Sequence, residues 1–117
     1  MSKKRRRTSG KVSKTKSALH QIKQLIKRGN LDSALLLLEG MKGGISEAKY
    51  ASALAELHFR RAHHDAKRYP KQALKDFEQA VSLQPSDTLY RYHLALFQHG
   101  AGQLKKAITG YRSVLEQ

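Results

Sequence analysis

The chain predicts an all-α fold of about six helices, arranged as successive antiparallel hairpins. Three observations carry that prediction. Ala73, Phe77 and Ala80 recur as Ala107, Tyr111 and Val114, each displaced by 34 residues. A fixed repeat of about 20–50 residues marks stacked supersecondary units. Apolar residues fall at three- and four-residue steps through most of the chain, which is the period of an amphipathic helix. Gly29-Asn30, Gly43-Gly44, Pro70, Pro85 and the stretch Gly100-Ala101-Gly102 punctuate these segments at short intervals.

Taken in order, residues 1–16 read as a disordered basic arm. Lys, Arg, Ser, Thr and Gly dominate, and Val12 is the only aliphatic residue after Met1. Such a segment buries too little surface to offset its ordering entropy. A first helix is predicted from Ser17 to Arg28, with Ala18, Leu19, Ile22, Leu25 and Ile26 on one stripe. Gly29 ends it in the left-handed conformation that glycine tolerates. A second helix spans Leu31 to Lys42 and is apolar nearly all round at Leu35 to Leu38, which predicts burial between neighbours. Ser46 is suited to capping a third helix that runs to about Arg68, with Glu47 in its first turn. Pro70 fits the first turn of a fourth helix, where its missing N–H costs nothing. Ser86 or Asp87 caps a fifth, and a sixth begins near Gln103. Short turns make adjacent helices antiparallel. Alanines at Ala62, Ala73, Ala80, Ala95 and Ala107 suit close helix crossings.

Composition narrows the function. At 117 residues the chain is one small domain or part of a larger one. It contains no Cys, so neither a disulfide framework nor a thiolate metal site is available. No apolar run reaches the ~18–20 residues of a membrane span. The charged N-terminus has no apolar segment behind it and is not a secretory signal. The expectation is an intracellular, cytoplasmic protein, with the nucleus as the alternative in a eukaryote. Net charge is +14. Residues 1–16 hold eight bases (Lys3, Lys4, Arg5, Arg6, Arg7, Lys11, Lys14 and Lys16) and no acid, leaving 15 bases against 9 acids in the body. That balance points to anionic partners.

The spacing Ala73, Phe77, Ala80, Pro85, followed by Ala95, Gly102, Ala107 and Tyr111, resembles the tetratricopeptide repeat family. A weaker first copy runs through Gly29, Ala34, Leu38 and Met41. The resemblance covers about residues 17–117 and implies a right-handed stack of three hairpins, about 17–42, 46–85 and 86–117. There are departures. Ala34 to Ala73 is five residues longer than the repeat, Ala62 to Ala73 is one shorter than Ala95 to Ala107, and the family's first-helix aromatic falls on Arg91. The family grips peptides in a concave groove lined by the first helix of each pair. Carried over by spacing, that groove takes Lys23, Lys27, Phe59, His63, Lys67, Tyr92, Leu96 and His99, with Leu19, Ile26, Glu56 and Leu89 beside them. The family's carboxylate-clamping set of Lys and Asn is missing. Ile108, Val114 and Leu115 leave an apolar strip on the last helix. The C-terminal edge is therefore expected to dock a partner, self-associate or continue into a longer chain.

The cluster Lys3–Arg7 is the sharpest functional signal. It fits phosphate neutralisation with counterion release, nuclear import, or a solvated tail. His58, His63, His64 and Asp65 lack the spacing of a metal site, so no metal and no cofactor is expected. His93 and His99 read likewise as surface or groove residues. Asp76 and Glu78 are expected on an exposed helix face, and of Tyr90 and Tyr92 one packs while the other is exposed. No nucleophile, phosphate loop or carboxylate pair supports catalysis. The reading is a non-enzymatic adaptor that holds an acidic protein or peptide and touches nucleic acid through its arm, as a subunit of a larger ribonucleoprotein assembly. The alternatives are a pure peptide-binding module whose arm serves import or solubility, and the regulatory part of a longer enzyme.

Overall fold

A computed structural model of the chain describes residues 10–116, with side chains described from Lys16 onward. Six helices follow one another: α1 Gly10–Lys27, α2 Leu31–Gly40, α3 Glu47–Asp65, α4 Pro70–Leu83, α5 Thr88–Gly100 and α6 Leu104–Leu115. There is no strand among the described residues, so the all-α class holds. The bounds follow the sequence signals closely. Pro70 opens α4. Ser46 Oγ accepts the Lys49 N–H at 3.2 Å, and Asp87 Oδ1 accepts the Tyr90 N–H at 3.0 Å, each retiring one orphan donor of a first turn.

Gly29 and Gly102 end α1 and α5 in the same way. Both have positive φ, 77° and 80°. In each case the residue that follows reaches back five positions, Asn30 N to Leu25 O at 2.9 Å and Gln103 N to Gln98 O at 2.8 Å. This glycine-dependent closure satisfies the last carbonyls of the helix. It also turns the chain for an immediate return.

One boundary differs from expectation. α1 begins at Gly10 rather than Ser17, so Lys11, Lys14 and Lys16 belong to a helix and not to a disordered arm. The charge run there contains no Gly or Pro after Gly10, and Lys is a good helix former. Lys3, Lys4, Arg5, Arg6 and Arg7 lie outside the described residues.

The chain divides into two units, one up to Tyr50 and one from Ala51. In the first, α1 packs on α2, and Ile22, Leu31, Ala34, Leu35 and Leu38 are buried. Leu36 departs from the predicted all-round burial of α2, since it is 70% exposed. In the second unit α4 packs on α5 and α5 on α6. Ala62, Ala73, Ala80, Ala95 and Ala107 are all buried, which is where small residues were expected. Ala62, Ala73 and Phe77 form a core joined by Phe59, Ala66, Leu94 and Phe97. Phe77 is 3% exposed, a burial that stabilises by about 1.5–3 kcal/mol.

The 34-residue period has a structural counterpart. Phe59 and Phe77 meet at a ring separation of 5.8 Å, and Tyr92 and Tyr111 at 6.2 Å. Phe59 to Tyr92 is the 33-residue step of the first helices, and Phe77 to Tyr111 the 34-residue step of the second.

Candidate nucleic-acid interface and partner surface

On α1, Lys16, His20, Lys23 and Lys27 are spaced by four, three and four residues and are all exposed. That spacing puts them on one stripe of the helix. The opposite side holds Ile22, which is buried against its unit. α1 contains no Asp or Glu, and the first acid in the chain is Asp32. Lys16 was assigned to the arm and Lys23 and Lys27 to a groove. The helix brings the three together on a single cationic ridge. At a rise of 1.5 Å per residue the ridge runs about 17 Å.

In the second unit, Phe59 and His63 on α3 form a ring cluster with Phe77 on α4 and with Tyr90 and His93 on α5. Phe59 lies 4.8 Å from Tyr90 and 5.1 Å from His93, and His63 lies 4.8 Å from His93 and 5.2 Å from Phe77. Phe59 is thus half-buried in an internal junction. Desolvation where its ring packs, reinforced by His93, lowers the pKa of His63 below the usual imidazole value. Burial raises the Tyr90 phenol above its ordinary range, helped by Asp87 and Glu56. Tyr90 packs and Tyr92 is exposed, as predicted for the pair. Lys67 is exposed in the turn after α3.

Asp76 corrects the sequence reading. It is 1% exposed, not on a solvent face. Arg61 grips it with two parallel bonds, Nε to Oδ2 and Nη2 to Oδ1, each 2.9 Å. His58 Nδ1 donates to Oδ1 at 2.8 Å. Burial pushes the Asp76 pKa up. The hydrogen bonds and charges of His58 and Arg61 outweigh that and hold it below the usual carboxylate value. His58, expected at the surface or in the groove, is a partner of the buried Asp76 carboxylate. The signal was present: Asp76 follows Ala73 by three and precedes Ala80 by four, on the buried stripe of α4. No three His, Cys, Asp or Glu side chains converge on a metal-sized site among the described residues.

The 34-residue step carries Asp76 to Gly110, and the 33-residue step carries His58 to Arg91. The second hairpin of this unit therefore has a guanidinium without the matching carboxylate. Arg91 Nη1 donates to Ser113 Oγ, while its Nε and Nη2 are buried without a partner.

The outer side of α5 and α6 is apolar. Leu89, Tyr92 and Leu96 on α5 are exposed, as are Leu104, Ile108 and Leu115 on α6, with Ile108 at 50% and Leu115 at 83%. His99 Nδ1 approaches the Tyr111 hydroxyl at 3.3 Å at the end of this surface. Val114 is half-buried. Among the described residues no helix is long and apolar enough to cross a membrane. Searches against family models, curated proteins and solved structures found no match.

Proposed function

We propose that the chain is a non-enzymatic helical-hairpin adaptor of tetratricopeptide type that binds a nucleic-acid backbone through α1 and its basic N-terminal extension. The observation that carries this reading is the placement of Lys16, His20, Lys23 and Lys27 on one exposed stripe of an acid-free helix. A ridge of about 17 Å matches about five phosphates at 3.4 Å per strand. Lysines act there as point charges that displace counterions. They give affinity and salt dependence without base readout. Lys11 and Lys14 lie in the same helix, and Lys3 to Arg7 precede it. The assembly served is a ribonucleoprotein in the cytoplasm or nucleus.

The test is binding to single-stranded RNA and duplex DNA across a salt series. Lys16→Glu/Lys23→Glu/Lys27→Glu should weaken binding to both. It should also reduce the magnitude of the log K against log salt slope by about 2–3, the contribution of three phosphate contacts. An unchanged slope in the triple variant would remove α1 from the interface.

A further inference from the structure

The turn between α3 and α4, inside the second unit, sets an aromatic ring in solvent among bases. Tyr69 is 56% exposed. Its backbone is tied on both sides: its N–H bonds to the Asp65 carbonyl at 2.7 Å, and its carbonyl accepts the Ala73 N–H at 2.9 Å. Pro70 follows directly and fixes the direction in which the chain enters α4. Beside the ring lies an open depression of about 480 Å³, lined by Tyr69, Pro70, Lys71, Gln72 and Lys75. Lys71 and Lys75 are four residues apart on one face of α4, about 6 Å apart along the helix. Residues 66–75 carry Lys67, Arg68, Lys71 and Lys75 and no acid, and all four bases are exposed. The neighbouring acids cancel little of this charge. Asp65 is bonded to His64 at 2.9 Å, and Asp76 is buried against Arg61 and His58. Glu78 is exposed one turn beyond Lys75. It does not line the depression and marks the end of the cationic stretch.

We propose that this turn holds a single-stranded nucleic acid, with one unpaired base stacked on the Tyr69 ring and the adjoining phosphates on Lys71 and Lys75. The inference rests on the α1 reading for the class of ligand and goes beyond it in selecting an unpaired strand. Stacking on a tyrosine tolerates any base, because every base has a π-face. The ammonium groups neutralise phosphates as point charges. A duplex keeps its base faces inside the stack, so it can engage the lysines but not the ring. An acidic peptide could use the lysines as well. A protein partner, however, draws its affinity from a cluster of buried anchors, and Tyr69 is the one large exposed apolar side chain of α3, α4 and the turn between them. A lone ring among bases suits a base and its phosphates better than a protein surface. The α1 ridge offers charge without a ring, so the two contacts supply different parts of the recognition.

The probes are a fluorescein-labelled twelve-nucleotide oligothymidylate, an abasic deoxyribose-phosphate chain of the same length, and a duplex of the same length. Anisotropy is followed with the full chain. Tyr69→Ala should weaken oligothymidylate binding about fivefold or more, the effect of losing one stacked base, and Tyr69→Phe should retain it. Neither variant should change binding of the abasic chain or the duplex, or the salt slope. Lys71→Gln/Lys75→Gln should instead weaken all three probes. On the single strand it should reduce the magnitude of the salt slope by about 1.4, two contacts at about 0.7 each. Tyr69 is exposed, so circular dichroism of its variants should match the parent's. Three outcomes overturn the proposal. One is oligothymidylate binding that is absent or equal in the parent and Tyr69→Ala. Another is a loss in Tyr69→Ala that the abasic chain or the duplex shares, which would make the ring a structural element only. The last is Tyr69-dependent binding of a Glu-rich peptide without binding of the oligothymidylate, which would assign the turn to an acidic protein. The α1 reading fails separately: an unchanged slope in its triple lysine variant, with the Tyr69→Ala loss intact, leaves this contact standing without the ridge.

Discussion

Asp76 is where a single residue decides most. A carboxylate buried to this degree is tolerated because a forked guanidinium and an imidazole satisfy it. Removing it leaves a half-buried Arg61 facing an emptied site. Asp76→Ala should cost about 3 kcal/mol, the scale for breaking a buried pair from one side, read as a shift in the urea midpoint. The pH dependence follows from the direction of its shift. Because the folded carboxyl titrates below its unfolded value, its stabilisation is fully present above the usual Asp range near pH 4. It is lost as pH falls through the folded value. Acid unfolding should therefore move to higher pH in Arg61→Leu. By charge alone Asp76 belongs on a solvent face, whereas by period it belongs on the buried stripe of α4. Its register with Ala73 and Ala80 marked it as internal, but the partners that make burial affordable, His58 and Arg61, sit on another helix and cannot be paired by inspection.

At the scale of elements, α5 and α6 approach closely where Ala95 meets Gly110. A Cβ added at Gly110 would lie 2.9 Å from the Ala95 Cβ, too near for either backbone to accommodate without moving. Glycine in a helix costs about 1 kcal/mol relative to alanine, so Gly110→Ala would stabilise an isolated helix. Here overpacking, about 1–3 kcal/mol, should cancel or exceed that gain. The expected outcome is a thermal midpoint no higher than the parent's, and recovery in Gly110→Ala/Ala95→Gly. The ends of the helices were the most legible part of the sequence, because Gly29, Gly102, Pro70, Ser46 and Asp87 act through local backbone chemistry. The start of α1 was misjudged. Its lysines suggest disorder by composition, although lysine is a good helix former.

Across the whole molecule, charge is sorted along the chain. Residues 1–31 carry 11 bases and no acid, residues 32–87 carry 8 bases and 8 acids, and residues 88–117 carry 4 bases and 1 acid. The middle is balanced, so self-repulsion falls on the two ends. Exposed pairs such as Glu56–Arg60, 2.9 Å apart, contribute less than about 1 kcal/mol. Raising NaCl from low to moderate concentration should therefore move the thermal midpoint by less than about 4 °C, while the nucleic-acid affinity proposed for α1 should fall steeply over the same range. Calorimetry and binding isotherms on one preparation check both. This asymmetry could be read from the sequence directly. The joining of Lys16 with Lys23 and Lys27 could not, since it required knowing that one helix carries all three.

The lysine ridge lies in the unit that ends at Tyr50 and the bare apolar edge in the unit that starts at Ala51, and no side chain belongs to both. Lesions are therefore separable. Substitutions on the ridge should leave the exposed apolar face of α5 and α6 unchanged, and substitutions on that face should leave the salt dependence assigned to the ridge unchanged.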